Sequence, residues 1–227
     1  MIIFENIKIC VFDAYGTLFD INSAVNQHIE KLDGNGEQVS IIWRQKQLEY
    51  SWLRSLMCQY TDFWNVTKES LDYALNASGI HNNNLREELL DAYMHLDCYP
   101  EVPEVLKGLK EKGILTVILS NGTSKMLHAA INSAKITDLI DVILCVDDIK
   151  VYKPDPKVYK LVTDRFNIPK DNVLFHSSNS WDVAGASSYG FQVAWINRLN
   201  KQKETLPFKP VIEAKSLIEV STLIKSR

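Results

Sequence analysis

Five short stretches of nearly uninterrupted apolar residues constrain this chain most: IKICVF at 7–12, LTVILS at 115–120, DVILCV at 141–146, NVLFHS at 172–177 and QVAWIN at 192–197. Each is rich in β-branched residues and bounded by Gly, Asn, Asp or Pro. Runs of that length without polar alternation suit strands covered on both faces, which means a parallel sheet with helical crossovers. The later intervals carry the helices such crossovers need. VPEVLKGLKEKG (102–113) ends in Gly113 as a C-cap, SKMLHAAINSAK (124–135) follows an Asn-Gly turn, and PDPKVYKLVTDRF (154–166) is expected to hold Pro154 in its first turn.

The interval 21–97 breaks this rhythm, with helical patterns expected at 22–32, 40–60, 66–79 and 84–96 and no convincing strand. DGNGE (33–37) and HNNN (81–84) read as loops within it. The chain is therefore expected to be an α/β protein. A Rossmann-like parallel sheet core flanked by helices, residues 1–20 and 98–227, carries an inserted helical cap subdomain, 21–97, over the C-terminal edge of the sheet. At 227 residues the chain can bury one sizeable core or two smaller ones.

Charge and composition narrow the partners. The net charge is −3, with Lys and Arg spread along the chain rather than gathered in a stripe, so no nucleic-acid partner is expected. No apolar stretch approaches the roughly 18 residues of a membrane-spanning helix, and Glu5, Lys8 and Asp13 interrupt any N-terminal leader. The four cysteines, Cys10, Cys58, Cys98 and Cys145, form no CxxC pair. They read as reduced core residues of a cytoplasmic protein rather than a disulfide frame or a zinc site.

Polar residues recur at the ends of the predicted strands: Asp13 after the first, Ser120 and Asn121 after the second, Lys153 beyond the third, and Ser177, Asn179 and Asp182 at or beyond the fourth. In an open parallel α/β sheet the ligand crevice lies outside those ends. Taken singly, Asp13 is equally a turn residue, Ser120 to Thr123 equally a turn with an N-cap, and Lys153 equally a solvated lysine. Their convergence is what favours a site. In the 40–60 helix, Ile41, Arg44, Gln45, Leu48 and Trp52 fall within one arc, joined by Phe63 if the helix persists that far. Arg44 would then stand among apolar neighbours, awaiting either an anionic ligand or a structural acid.

VFDAYGTLFD (11–20), WRQKQLEYSWLRSLM (43–57), LSNGTSK (119–125), VYKPDPKVY (151–159) and SSNSWDVAGASSYGFQVAWINR (177–198) together resemble the haloacid dehalogenase superfamily, and within it the L-2-haloacid dehalogenases. The resemblance spans nearly the whole chain. The motifs around Asp13, Ser120 and Lys153 are common to the superfamily, phosphatases included, whereas the second motif and SSNSWD are specific to the dehalogenase branch. The resemblance implies that Asp13 attacks C2 of a 2-haloacid and becomes an ester, later hydrolysed with Asp182, Ser177, Asn179 and Lys153. It implies that Thr17 orients the nucleophile, that Ser120 holds the substrate carboxylate with backbone amides near Ala14 and Tyr15, and that Arg44 and Asn121 receive the halide. Tyr159 would join the network around Lys153, while Tyr15, Gln45, Leu48, Phe63 and Trp181 would line the pocket. A homodimer is implied by the resemblance alone.

Superfamily phosphatases resemble one another in a second aspartate two positions after the nucleophile, which protonates an alkoxide, and in binding magnesium. Here that position is Tyr15. A halide needs no proton to leave, so dehalogenation has no use for the acid. No metal and no cofactor are expected. A metal-dependent phosphatase and a catalytically silent binding protein of the same fold stay open as alternatives. His176, where an aliphatic residue is usual, and Asp148, where a proline is common, depart from the family pattern.

Overall fold

A computed structural model describes residues 3–225. The strands are β1 (Ile9–Phe12), β2 (Leu115–Ser120), β3 (Val142–Cys145), β4 (Val173–Ser177), β5 (Gln192–Ile196) and β6 (Ile212–Ala214). They form one sheet in the order β3-β2-β1-β4-β5-β6, every pair parallel. β1 and β4 are buried along their whole length, which is what their lack of polar alternation requires. β3 is half-buried throughout because it is an edge strand, not the fully covered strand expected. β6 was not anticipated.

The core crossovers are α5 (Val102–Glu111), α6 (Ser124–Ser133), α7 (Pro156–Phe166) and α8 (Ser180–Tyr189). α5 is followed by Gly113 at φ +70°, the left-handed position that favours glycine. α6 starts on Thr123, whose hydroxyl accepts from the Met126 amide at 3.2 Å. α7 begins two residues later than expected: Asp155 is its N-cap and Pro156, not Pro154, stands in its first turn.

Between β1 and β2 lie α1 (Ser23–Asn26), a 3₁₀ turn at Ile29–Leu32, α2 (Gly36–Leu56), α3 (Phe63–Ala77) and α4 (Asn83–Met94). The single helix expected at 22–32 is thus broken. His28 leaves the helical region (φ −122°) and Asp33 turns left-handed (φ 47°). α2 ends at Leu56, so Phe63 opens α3 rather than closing α2. The buried stripe of α2 is Val39, Trp43, Gln47 and Ser51, a different face from the Ile41–Trp52 arc. Trp43 fixes that orientation by donating from Nε1 to the Thr67 carbonyl of α3 at 2.9 Å. The cysteines are unpaired; Cys10 is buried and Cys98 and Cys145 half-buried, but Cys58 is exposed between α2 and α3, against the expectation of a core residue. No described helix is long and apolar enough to cross a membrane.

Candidate active site

The residue after β1 is Asp13, and its amide continues the ladder by donating to the His176 carbonyl of β4 at 2.9 Å. The backbone beneath the carboxylate is therefore fixed by the sheet. Gly16, at φ +88°, then turns the chain so that Thr17 faces back toward Asp13. Three donors hold the carboxylate. Thr17 Oγ1 (3.2 Å) and Asn179 Nδ2 (2.7 Å) donate to Oδ2, and Lys153 Nζ donates to Oδ1 at 3.1 Å. Asn179 Nδ2 also reaches the Tyr15 carbonyl at 3.1 Å.

Lys153 donates at the same time to Asp182 Oδ2 at 2.9 Å, and the Tyr159 hydroxyl donates to Asp182 Oδ1 at 2.7 Å. Asp13, Lys153 and Asp182 are 5%, 1% and 0% exposed. Two carboxylates and one ammonium in so dry a place persist because the charges face one another and each carboxylate oxygen has a donor. Burial alone would lower the Lys153 ammonium, but Asp13 and Asp182 overturn this and hold it above its usual value. Asp182 is raised, first by burial and then by Asp13, with Lys153 opposing. Burial and the Asp182 charge lift Tyr159 far above an ordinary phenol, so it stays a hydrogen-bond donor. The ammonium stands between the two carboxylates, where a cation bridging them would sit.

Tyr15 is buried with its hydroxyl unpartnered among the described residues, and burial pushes its pKa well above 10.0. Its ring lies near Tyr93 and Phe63, at centroid distances of 5.6 and 6.0 Å. It also lies over Gly122, where a Cβ would come within 2.7 Å of the ring. Ser120 Oγ accepts from the Gly122 amide at 3.1 Å, Asn121 Oδ1 from the Lys153 amide at 2.9 Å, and Ser177 Oγ from the Asn179 amide at 3.1 Å. Asn121 thus braces the segment that carries Lys153, Ser177 the turn that leads to Asp182, and Ser120 the turn after β2.

Arg44 enters from α2. It donates to Gln47 Oε1 at 2.8 Å and to Asn179 Oδ1 at 3.3 Å, and no carboxylate among the described residues pairs with it. A half-buried guanidinium held only by neutral amides keeps its charge available to an anion. Beside it opens a cleft of about 600 Å³, lined in part by Gly16, Ile41, Arg44, Ser178, Asn179 and Arg198.

A haloacid dehalogenase-like hydrolase family model matches residues 7–190. (S)-2-haloacid dehalogenase 1 of Pseudomonas sp. (strain CBS-3) is 48% identical over 201 residues, 88% of each chain. (S)-2-haloacid dehalogenase 4A of Burkholderia cepacia is 43% identical, over 88% of this chain and 87% of its own. The chain belongs to the haloacid dehalogenase-like hydrolases, in their (S)-2-haloacid dehalogenase group. The fold agrees: an L-2-haloacid dehalogenase structure from Xanthobacter autotrophicus with chloropropionic acid covalently bound superposes with a TM-score of 0.89. That structure is 37% identical to this chain, covering 96% of it and 98% of its own length.

Of the residues this dehalogenase-group sequence singled out, Asp13, Thr17, Lys153, Tyr159, Asn179, Asp182 and Arg44 form one hydrogen-bonded network. Asn121 and Ser177 brace it through the Lys153 and Asn179 amides, Ser120 is buried in the turn after β2, and Tyr15 and Phe63 are also buried. Leu48 is half-buried, as is Trp181, which meets Trp52 edge-on at 5.5 Å. Gln45 is different. It is exposed, and the buried glutamine of α2 is Gln47, which donates to Thr67 Oγ1 at 2.8 Å and pairs with the Tyr93 hydroxyl. Gln47 belongs to the 39-43-47-51 stripe, a period legible in the sequence but obscured by apolar residues on both sides of α2. Ser178, whose amide donates to Thr17 Oγ1 at 2.9 Å, and Arg198, which donates to the Thr17 carbonyl, both lie in the 177–198 motif, where nothing sets them apart from their neighbours. His176 is buried and stacked on Phe12, with centroids 4.5 Å apart, and Asp148 is exposed.

Proposed function

We propose that the chain hydrolyses short-chain L-2-haloalkanoic acids to D-2-hydroxy acids with inversion, through an ester on Asp13. The observation that carries this reading is Tyr15: two residues after the nucleophile stands a buried phenol held far above its usual pKa, which supplies no general acid. Halide departs with the bonding pair as the Asp13–C2 bond forms, and it needs none. Lys153 holds the attacking carboxylate in place through its hydrogen bond to Oδ1. Arg44, free of carboxylate partners among the described residues, would stabilise the charge that grows on the halogen, and Asn121 is the second group the family resemblance assigns to the halide. Ser120, with backbone amides near Ala14 and Tyr15, would take the substrate carboxylate.

In the second step water attacks the ester carbon of Asp13 and gives a proton to Asp182. The acyl–oxygen bond breaks, the departing alkoxide takes that proton, and Asp13 regenerates by releasing the other. A raised Asp182 suits this use as a base, and Tyr159, Asn179 and Ser177 hold the surroundings in place. The covalently bound chloropropionic acid of the Xanthobacter relative supports a covalent route. No step calls for a metal or cofactor.

The same reading makes 21–97 a cap subdomain on a core of 1–20 and 98–227, supported by the reach of Arg44 from α2 to Asn179. The exposed Leu53, Leu56 and Met57 of α2 and its end offer an apolar face for a homodimer, and the unpaired cysteines suit the cytoplasm.

The test is halide release from the separate enantiomers of 2-chloropropionate with EDTA present. Chloride and D-lactate are expected from the L-isomer, undiminished by chelator and abolished by Asp13→Asn. Magnesium-dependent release of phosphate from a phosphomonoester without halide release would establish the phosphatase instead. An inert wild-type protein would favour the silent binding protein.

A further inference from the structure

We propose that Arg198 is a positioning residue for the nucleophile, acting on Asp13 through Thr17; this rests on Asp13 being the attacking group. Arg198 lies two residues beyond β5, next to Asn197, which is buried and tied to Lys201 and Glu213. Its Nη2 donates to the Thr17 carbonyl at 3.0 Å, its Nη1 is paired with Glu101, and its guanidinium carbon lies 3.9 Å from the centre of the Tyr99 ring. The Thr17 hydroxyl in turn donates to Asp13 Oδ2 and accepts from the Ser178 amide. One guanidinium thus joins the loop that follows the nucleophile, the loop that follows β5, and the Tyr99–Glu101 segment leading into α5.

Three features favour positioning over attraction of the substrate. Arg198 and Glu101 are 15% and 12% exposed and paired, so the charge of Arg198 is largely neutralised at the cleft. Nε is buried without an acceptor among the described residues, so the side chain has given up a hydrogen bond to keep its two terminal nitrogens on Glu101 and Thr17. The third feature is planarity. A rigid fork sets the angle between two acceptors, which the single ammonium of a lysine does not do. Moving the Thr17 peptide would move the hydroxyl that orients the attacking carboxylate, and displacement of a reacting group by a fraction of an ångström lowers the rate of the step rather than binding.

The experiment is a double-mutant cycle on halide release from L-2-chloropropionate, using wild type, Arg198→Lys, Thr17→Val and the double variant. Arg198→Lys is expected to lower kcat about tenfold with KM within about twofold, because only orientation is lost. In the Thr17→Val background the same replacement should change kcat by less than about twofold. Multiplicative losses in the double variant would overturn the proposal. So would a rise in KM at unchanged kcat, which is the behaviour of a guanidinium fork that binds the substrate itself. If Arg198→Lys does not fold, Glu101→Gln, which keeps the shape and removes the charge partner, is put through the same cycle with the same expectations. A wild type that releases no halide would refute the role of Asp13 itself, a result distinct from additive losses in an active enzyme.

Discussion

His176 predicts a specific loss of stability in mild acid. It lies on β4 beside Phe12, 2% exposed, its ring stacked at an interplanar angle of 17°, and its Nδ1–H donates to the Val11 carbonyl at 3.2 Å. Burial drives its pKa down from 6.5 to about 4, against a smaller opposing contribution from the Val11 carbonyl. The fold therefore holds it neutral while the unfolded chain takes up a proton. Its contribution is intact above the unfolded value and is lost as pH falls from there toward the folded one. Between those two values the unfolded state binds more protons, and linkage gives a loss of about 2 kcal/mol on going from about pH 7 to pH 5.

Asp182 acts in the opposite direction over an overlapping range, because its raised folded pKa makes the native state the better proton binder. The slope of the wild type alone is thus a mixture, and a difference isolates His176. His176→Leu keeps the volume and removes the titration; at about pH 7.5 it should change stability by no more than about 1 kcal/mol, from packing and one lost hydrogen bond. Urea denaturation of both proteins across pH 5 to pH 7.5 should show the variant gaining about 2 kcal/mol relative to wild type toward acid. Parallel curves would refute the reasoning.

Other perturbations test the charged cluster. Lys153→Met leaves Asp13 and Asp182 facing each other without a cation, and should cost about 3–5 kcal/mol of stability in urea denaturation. Since Asp182 then rises further and the native state keeps its proton, the deficit should grow as pH increases. Gly185 lets α8 approach α7, and a Cβ there would overlap the Tyr159 hydroxyl and come within 2.7 Å of Pro154. Gly185→Ala should lower Tm, by about 1–3 kcal/mol in stability, and cut halide release at least about tenfold by displacing Tyr159 from Asp182. Asp182→Asn should allow the first step and stall the second, seen as an intact-protein mass increase equal to one carboxyethyl group after exposure to L-2-chloropropionate. An unmodified mass together with lost activity would count against an ester on Asp13.

The sheet was legible where burial leaves a chain no choice: uninterrupted apolar runs marked β1, β2, β4 and β5, and the residues at their ends mark the site. β6 escaped because Ile212–Ala214 is three residues long and has no run to recognise. The break at His28 and Asp33 escaped because helical periodicity does not register a local departure in backbone angles. Gln45 and Gln47 could not be ranked, since α2 is apolar on both sides and only the packing of Trp43 against α3 decides which face is covered. Arg198 closes the 177–198 motif, but its contacts are with Thr17 and Glu101, each remote in sequence, and nothing in the letters around it marks either partner.

β1 is the first strand made and lies inside the sheet, with β2 on one side and β4 on the other. During synthesis its apolar ICVF edge therefore finds one neighbour only when Leu115–Ser120 has emerged, and the other only after Val173–Ser177. Through that interval the growing chain carries an unpaired strand edge, the feature most prone to pairing with another chain. The hydrogen-bonded cluster around Asp13 is completed late in the same sequence of events, because Asp13 waits on the segment after β4 for Asn179. The helices between β1 and β2 emerge before either neighbour of β1, and their buried side chains, Trp43, Leu71 and Leu89 among them, belong to the same core as the sheet.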